Sequence, residues 1–194
     1  MTRPHEDLER HTFVDHRPGG VPVSFAPGSW CAIDVVHIKA ERVDAGIAAY
    51  ETLIEKARTA SLGVRVAAVL RAVNDRRVIA LVAVEGHEAF GHLRSAWDDH
   101  HLVAERRDVA ESSTLGLYRV ATNSGDASID PATKDAYAFA RVARGAQLTN
   151  ALARGALVFE ADGDENSIII YRFGHAEGID GETMMAVRPV RTFG

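Results

Sequence analysis

The sequence predicts an α+β fold: two ferredoxin-like (split βαβ) lobes fused in tandem and closed into one barrel, the second lobe degenerate. Three observations carry this. Apolar runs and helical stripes follow the order strand, helix, strand, strand, helix, strand over residues 30–121. A worn copy of the same order begins after residue 134. The strands are apolar on both alternating faces, as required when one face meets helices and the other a barrel interior.

The elements are justified in turn. Residues 1–28 hold charges, His5, His11, His16 and a Pro-Gly-Gly turn at 18–20, and read as a loose polar arm with one short extended piece at Val21–Phe25. WCAIDVVHI (30–38) is a nearly continuous, β-branched apolar run, the signature of a strand buried on both faces. Val43, Ile47, Tyr50, Ile54 and Ala57 then recur at helical spacing, and Gly63 supplies a stop. VRVAAVLRAV (64–73) and RVIALVAV (77–84) form a hairpin about Asn74-Asp75. The next stretch, EGHEAFGHLRSAWDDHH (85–101), places Phe90, Leu93, Trp97 and His101 on one helical face, and LGLYRVA (115–121) closes the first lobe.

The linker is read at 122–133, which leaves 29–121 as the site-bearing lobe and 134–194 as its copy. In the copy, AYAFARVA (136–143) reads as a strand and AQLTNALARG (146–155) as a shortened helix. ALVFEA (156–161) and SIIIYRFG (167–174) form a hairpin about Asp162-Gly163. Aligning VIALVAV with SIIIYRF sets the two hairpins in the same structural order, and after Gly174 the copy fades.

Composition narrows the function classes. A net charge of −5 and a pI near 6.0 offer no electrostatic reason for nucleic acid or an anionic membrane. Cys31 is the single cysteine, so no internal disulfide and no Cys-based zinc site can form, and a cytoplasmic home is expected. No apolar run approaches the ~20 residues that span a bilayer. The chain carries no phosphate-cradling Gly loop and no G-x-S-x-G elbow.

Few side chains are left for chemistry. Alternation puts Trp30, Ala32, Asp34, Val36 and Ile38 on one face of the first strand, and Cys31, Ile33, Val35 and His37 on the other. Asp34 is a carboxylate in an apolar strand. It needs a partner, a raised pKa or an opening to solvent, and Arg65, Arg71, Arg119 and Arg141 are eligible partners for a structural ion pair. Of the four histidines in 85–101, His87, His92 and His100 belong to the wet side or ends of the helix. His101 continues the inward line, either as a hydrogen-bonded core residue or as a base. The spacing of these histidines lacks the acidic i, i+4 pairing of helical zinc sites. Tyr118, Tyr137 and Tyr171 alternate with apolar residues and are either cavity donors or core aromatics.

AIDVVHIKAERVDAG, and VIALVAVEGHEAF with the later Trp97 and His101, resemble the antibiotic biosynthesis monooxygenase family of the dimeric α+β barrel superfamily over about residues 30–121. That superfamily includes small haem-degrading monooxygenases. The resemblance implies an enzyme of secondary metabolism that oxidises an aromatic or polyketide-type substrate in an apolar pocket of lobe 1. Phe90, Trp97, Tyr118 and Tyr137 would line that pocket, and Asp34 or His101 would remove a phenolic proton. No cofactor is required in that reading. For a haem-degrading relative the resemblance implies haem b with His101 as axial ligand, and Asp34 then stands where those enzymes carry a neutral Asn. A ligand-binding barrel without catalysis is the third reading. Fusion of two lobes supplies within one chain what the family obtains by dimerising, so a monomeric pseudo-dimer or a homodimer is expected.

Overall fold

Alternation along the strands decides the architecture, because each strand must satisfy two apolar compartments at once. The computed structural model describes residues 19–60, 62–98, 108–122, 128–133, 135–143, 156–162, 166–172 and 185–194. The first lobe comprises β1 (Trp30–Ile38), α1 (Val43–Thr59), β2 (Ala67–Ala72), β3 (Arg77–Val84), α2 (His87–Asp98) and β4 (Ala110–Thr122). The described strands of the second are β5 (Tyr137–Ala143), β6 (Leu157–Ala161), β7 (Asn166–Arg172) and β8 (Met185–Phe193). The shortened helix read at 146–155 lies outside the described residues.

These strands close into an antiparallel barrel in the order β1-β3-β2-β8-β5-β7-β6-β4. Each lobe contributes the same sub-order, β4-β1-β3-β2 from the first and β8-β5-β7-β6 from the second. The lobes join at β2–β8 and β4–β6. Closure gives each of the described strands a neighbour on both sides, which removes the usual route to edge-to-edge association.

Two apolar cores result. Cys31, Ile33, Leu70, Ile79, Leu81, Val120, Phe139, Phe159 and Ile170 fill the barrel interior. Ala32, Val36, Val69, Val78, Val82, Ile47, Ile54, Leu93 and Trp97 fill the layer between the first lobe's sheet and its helices. Helix α1 comes close to the strand because it has a glycine at the contact, where a Cβ on Gly46 would lie 2.7 Å from Ile38 Cδ1. Gly63, with φ of 72°, takes the left-handed turn that leads from the helix to β2.

Two sequence expectations are corrected. The copy does not fade after Gly174, since Met185–Phe193 is the second lobe's fourth strand. Pro189 disguises it, because proline interrupts a sheet ladder. The chain accommodates it at a bulge, where Val69 faces Arg191 but Leu70 faces Pro189. Nor is the arm loose from residue 19 onward. Gly19 bridges to Arg191 and Val23 to Ile129, and Val23 and Phe25 are buried in the barrel core. Gly28 N–H donates to Val120 C=O, and Val120 N–H to Ser29 C=O. Residues 19–29 are therefore a strap held to the barrel where β4 ends, with the Phe25 ring edge-on to Phe159.

Because Phe25 is 1% exposed, Phe25→Ala is expected to cost about 3–5 kcal/mol of unfolding free energy. Urea unfolding of wild type and variant checks this. A loss below ~1 kcal/mol would mean that the strap is not part of the folded core.

Candidate functional site

Asp34 sits at the centre of β1 on the helix-facing side, paired in register with Ala80 of β3 and Leu115 of β4. It is 0% exposed and shares the described buried polar inventory with Thr192 alone. A carboxylate so placed needs a hydrogen-bond donor, and α1 supplies one: Tyr50 Oη donates to Asp34 Oδ2 at 2.8 Å. Tyr50 is itself 1% exposed.

The arginines eligible as ion-pair partners engage other groups. Arg65 binds Glu85 at 2.5 Å and Arg71 lies 3.6 Å from Asp44. Arg119 sits over the Trp30 ring at 5.6 Å. Arg141 shares the alternation of Tyr137 and Phe139, which face the barrel interior, so it stands on the other side of the sheet from Asp34.

Trp97 and Phe90 reach the same layer from α2. Trp97 is buried and Phe90 partly so. The Trp97 indole N–H is buried and has no acceptor among the described residues. His101 and His100 lie outside the described residues, whereas His87 and His92 are exposed. His87 packs edge-on to Trp30 with ring centroids 4.7 Å apart, and its Nε2 lies 3.6 Å from Asp162 Oδ2.

The structure does not bring Tyr118 and Tyr137 to this layer. Register explains why: Tyr118 pairs with Cys31, not with Ala32 or Asp34, and so points into the barrel. Its ring occupies the space left by Gly116, where a Cβ would lie 2.8 Å from Tyr118 Cε2. Tyr137 is also interior, and its hydroxyl accepts from Asp130 N–H at 3.0 Å and donates to Ser128 C=O at 3.1 Å. That hydroxyl ties the linker to β5. Sequence reasoning missed Tyr50, although a signal was present: a hydroxyl in the middle of an otherwise apolar helical stripe, facing the strand that carries Asp34.

The alignment of the two hairpins can be followed across each lobe's sheet. Asp34 faces Ala80 across β1–β3, and Ala140 faces Ile169 across β5–β7, with Ala80 and Ile169 at matching positions when VIALVAV is laid on SIIIYRF. Lobe 2 therefore carries alanine where lobe 1 carries the carboxylate.

Other features have simpler readings. Burial pushes the Cys31 thiol well up, which leaves it protonated and unreactive. A groove of about 520 Å³ opens at the barrel rim between the strap and β3, lined among others by Phe25, Trp30, Arg65 and Ala83. Among the described residues no three His, Cys, Asp or Glu side chains are arranged to hold a metal ion. No described helix is long and apolar enough to cross a membrane.

Solved structures share this fold across nearly the whole chain. An anthrone oxidase-like protein superposes with a TM-score of 0.63 at 13% identity, over 89% of this chain and 95% of its own. A candidate monooxygenase from Fusobacterium nucleatum gives 0.60 at 10% identity, over 87% and 95%. One from Lactobacillus acidophilus gives 0.54 at 10% identity, over 89% and 96%. No family model matches the sequence, and no curated protein does. At such identities the likeness establishes the fold.

His37 is exposed at the far end of β1, paired with Arg77. There burial acts to raise the Asp75 carboxyl, but its hydrogen bond to Arg77 and that residue's charge outweigh it. The Arg76 N–H and the His37 charge assist, and Asp75 is held below the usual carboxylate range. The native state thus binds fewer protons here than the unfolded chain, so the pair stabilises the fold above the ordinary Asp pKa of about 3.9 and ceases to do so as pH falls through the lower native value. Asp75→Asn is expected to unfold at lower urea than wild type at neutral pH, with the gap closing in strong acid. A gap that is constant with pH would contradict this.

Proposed function

We propose that the chain is a monooxygenase-like oxidoreductase acting on an aromatic or polyketide-type phenolic substrate at the helix-facing side of lobe 1, in the cytoplasm. The observation that carries it is the fully buried Asp34 carboxylate on β1, in the same layer as Trp97 and Phe90. Perturbed carboxylates among apolar walls are functional candidates on physical grounds. The fold likeness to an anthrone oxidase-like protein supports the substrate class.

An anthrone shows the balance of the reaction. Asp34, or His101, accepts the proton from the substrate's acidic tautomer, and the resulting anion transfers electrons to dioxygen. One C–O bond forms to give a hydroperoxide, and elimination of water leaves the second carbonyl. One dioxygen is consumed and one water released per anthrone, and the substrate itself is the reductant. The protein's part is to take the proton and to keep the carbanion in an apolar layer away from bulk water. No cofactor is needed for this stoichiometry.

Haem is the other occupant to consider. His101, its candidate axial ligand, is outside the described residues.

The test is oxygen uptake with anthrone as probe, run on wild type, Asp34→Asn and His101→Ala. Loss of one of these groups is expected to lower kcat/KM by about 10²–10⁴. Unchanged turnover in both variants would remove the assignment. A haemin titration run alongside would favour haem if a sharp Soret band appeared at one haem per chain and shifted in His101→Ala. Binding of anthrone without uptake would favour a ligand-binding barrel.

A further inference from the structure

The proposed reaction gives no role to the Tyr50 hydroxyl, which is buried beside Asp34. Tyr50 sits on the inward stripe of α1 with Ile47, Ile54 and Ala57, all buried. Its Oη lies 2.8 Å from Asp34 Oδ2, and a hydrogen bond donated to an ionised carboxylate favours the charged form. The other described side chains that face this layer are uncharged. Around Asp34 they include Ala32 and Val36 of β1, Ala80 of β3, Leu115 of β4, and Leu93 and Trp97 of α2. At the start of α1 the Asp44–Arg71 pair lies at the layer's edge, about one-third to one-half exposed. His101 follows Trp97 by four positions, outside the described residues.

A carboxylate can act as a base at neutral pH only while ionised, and full burial opposes ionisation. We infer that Tyr50 is the positioning residue for Asp34: its hydroxyl keeps the carboxylate ionised within the apolar layer and fixes the plane of the carboxyl group by holding one of its oxygens. The inference rests on the reading of Asp34 as a base. It assigns α1, which carries no reacting group, a role in setting the pH at which the site works.

The experiment compares wild type with Tyr50→Phe, which removes only the oxygen. The carboxylic C=O band of protonated Asp34 is followed in infrared difference spectra against pH, identified by its absence in Asp34→Asn. The protonation midpoint is expected to rise by about one to two pH units in Tyr50→Phe, the equivalent of one hydrogen bond to a charged group. The acid limb of kcat/KM for anthrone should move by the same amount. Equal midpoints in wild type and Tyr50→Phe, with only a lowered Tm in the variant, would reduce Tyr50 to packing and overturn the inference. Should Tyr50→Phe fail to fold, a fluorotyrosine placed at position 50 keeps the bond with a more acidic donor, and the midpoint should then fall; no change would again overturn it. The infrared readout needs no turnover. A shifted midpoint in a chain that oxidises no phenol would uphold the Tyr50 assignment while removing the reaction.

Discussion

The bond between Tyr50 and Asp34 is the point on which the packing of the first lobe's helix on its sheet depends. The layer between sheet and helices is otherwise apolar, and its hydrophobic contacts would tolerate small slips of α1 along β1. A directional bond of 2.8 Å between a helix and a strand does not tolerate such slips. It fixes where α1 sits, and Gly46 against Ile38 fixes how closely. A carboxylate in that layer lowers stability relative to a well-packed aliphatic side chain, and its presence there calls for a reason other than stability.

Barrel closure sets the second constraint. Every strand of the first lobe's sheet faces two dry compartments, so a residue one place along a strand lies on the opposite side of the wall. Ile33 belongs to the barrel interior, whereas Asp34, next to it in sequence, shares the helix-facing side with Ala32 and Val36. The same rule separates Tyr118 from Trp97, although both were candidates for one pocket.

Much of this was legible in the residues. The run WCAIDVVHI coincides with β1, and RVIALVAV with β3, because buried strands of this kind have no competing helical period. The inward stripe of α1 and the wet side of α2 followed from spacing alone. Less legible was whatever depended on a partner distant in sequence. The strand at Met185–Phe193 needs the bulge opposite Leu70 to house Pro189, and nothing local announces that bulge. The strap needs Ile129 and Phe159 as its counterparts. A carboxylate in the apolar run of β1 announces its need for a partner, but the cationic side chains that stand out in the sequence lie on strands, whereas the donor comes from a helix.

Joining two lobes in one chain changes how such a barrel can diversify. In a barrel made from two identical subunits, each substitution appears twice, and a buried carboxylate in one half entails a second one in the other. Here position 140 is alanine while position 34 is aspartate, so the two halves have parted at matching places in the sheet. One half can bear the cost of a buried carboxyl group while the other supplies an undemanding wall. The covalent link thereby turns a symmetric container into a lopsided one, free to demand precision of one half and only bulk of the other.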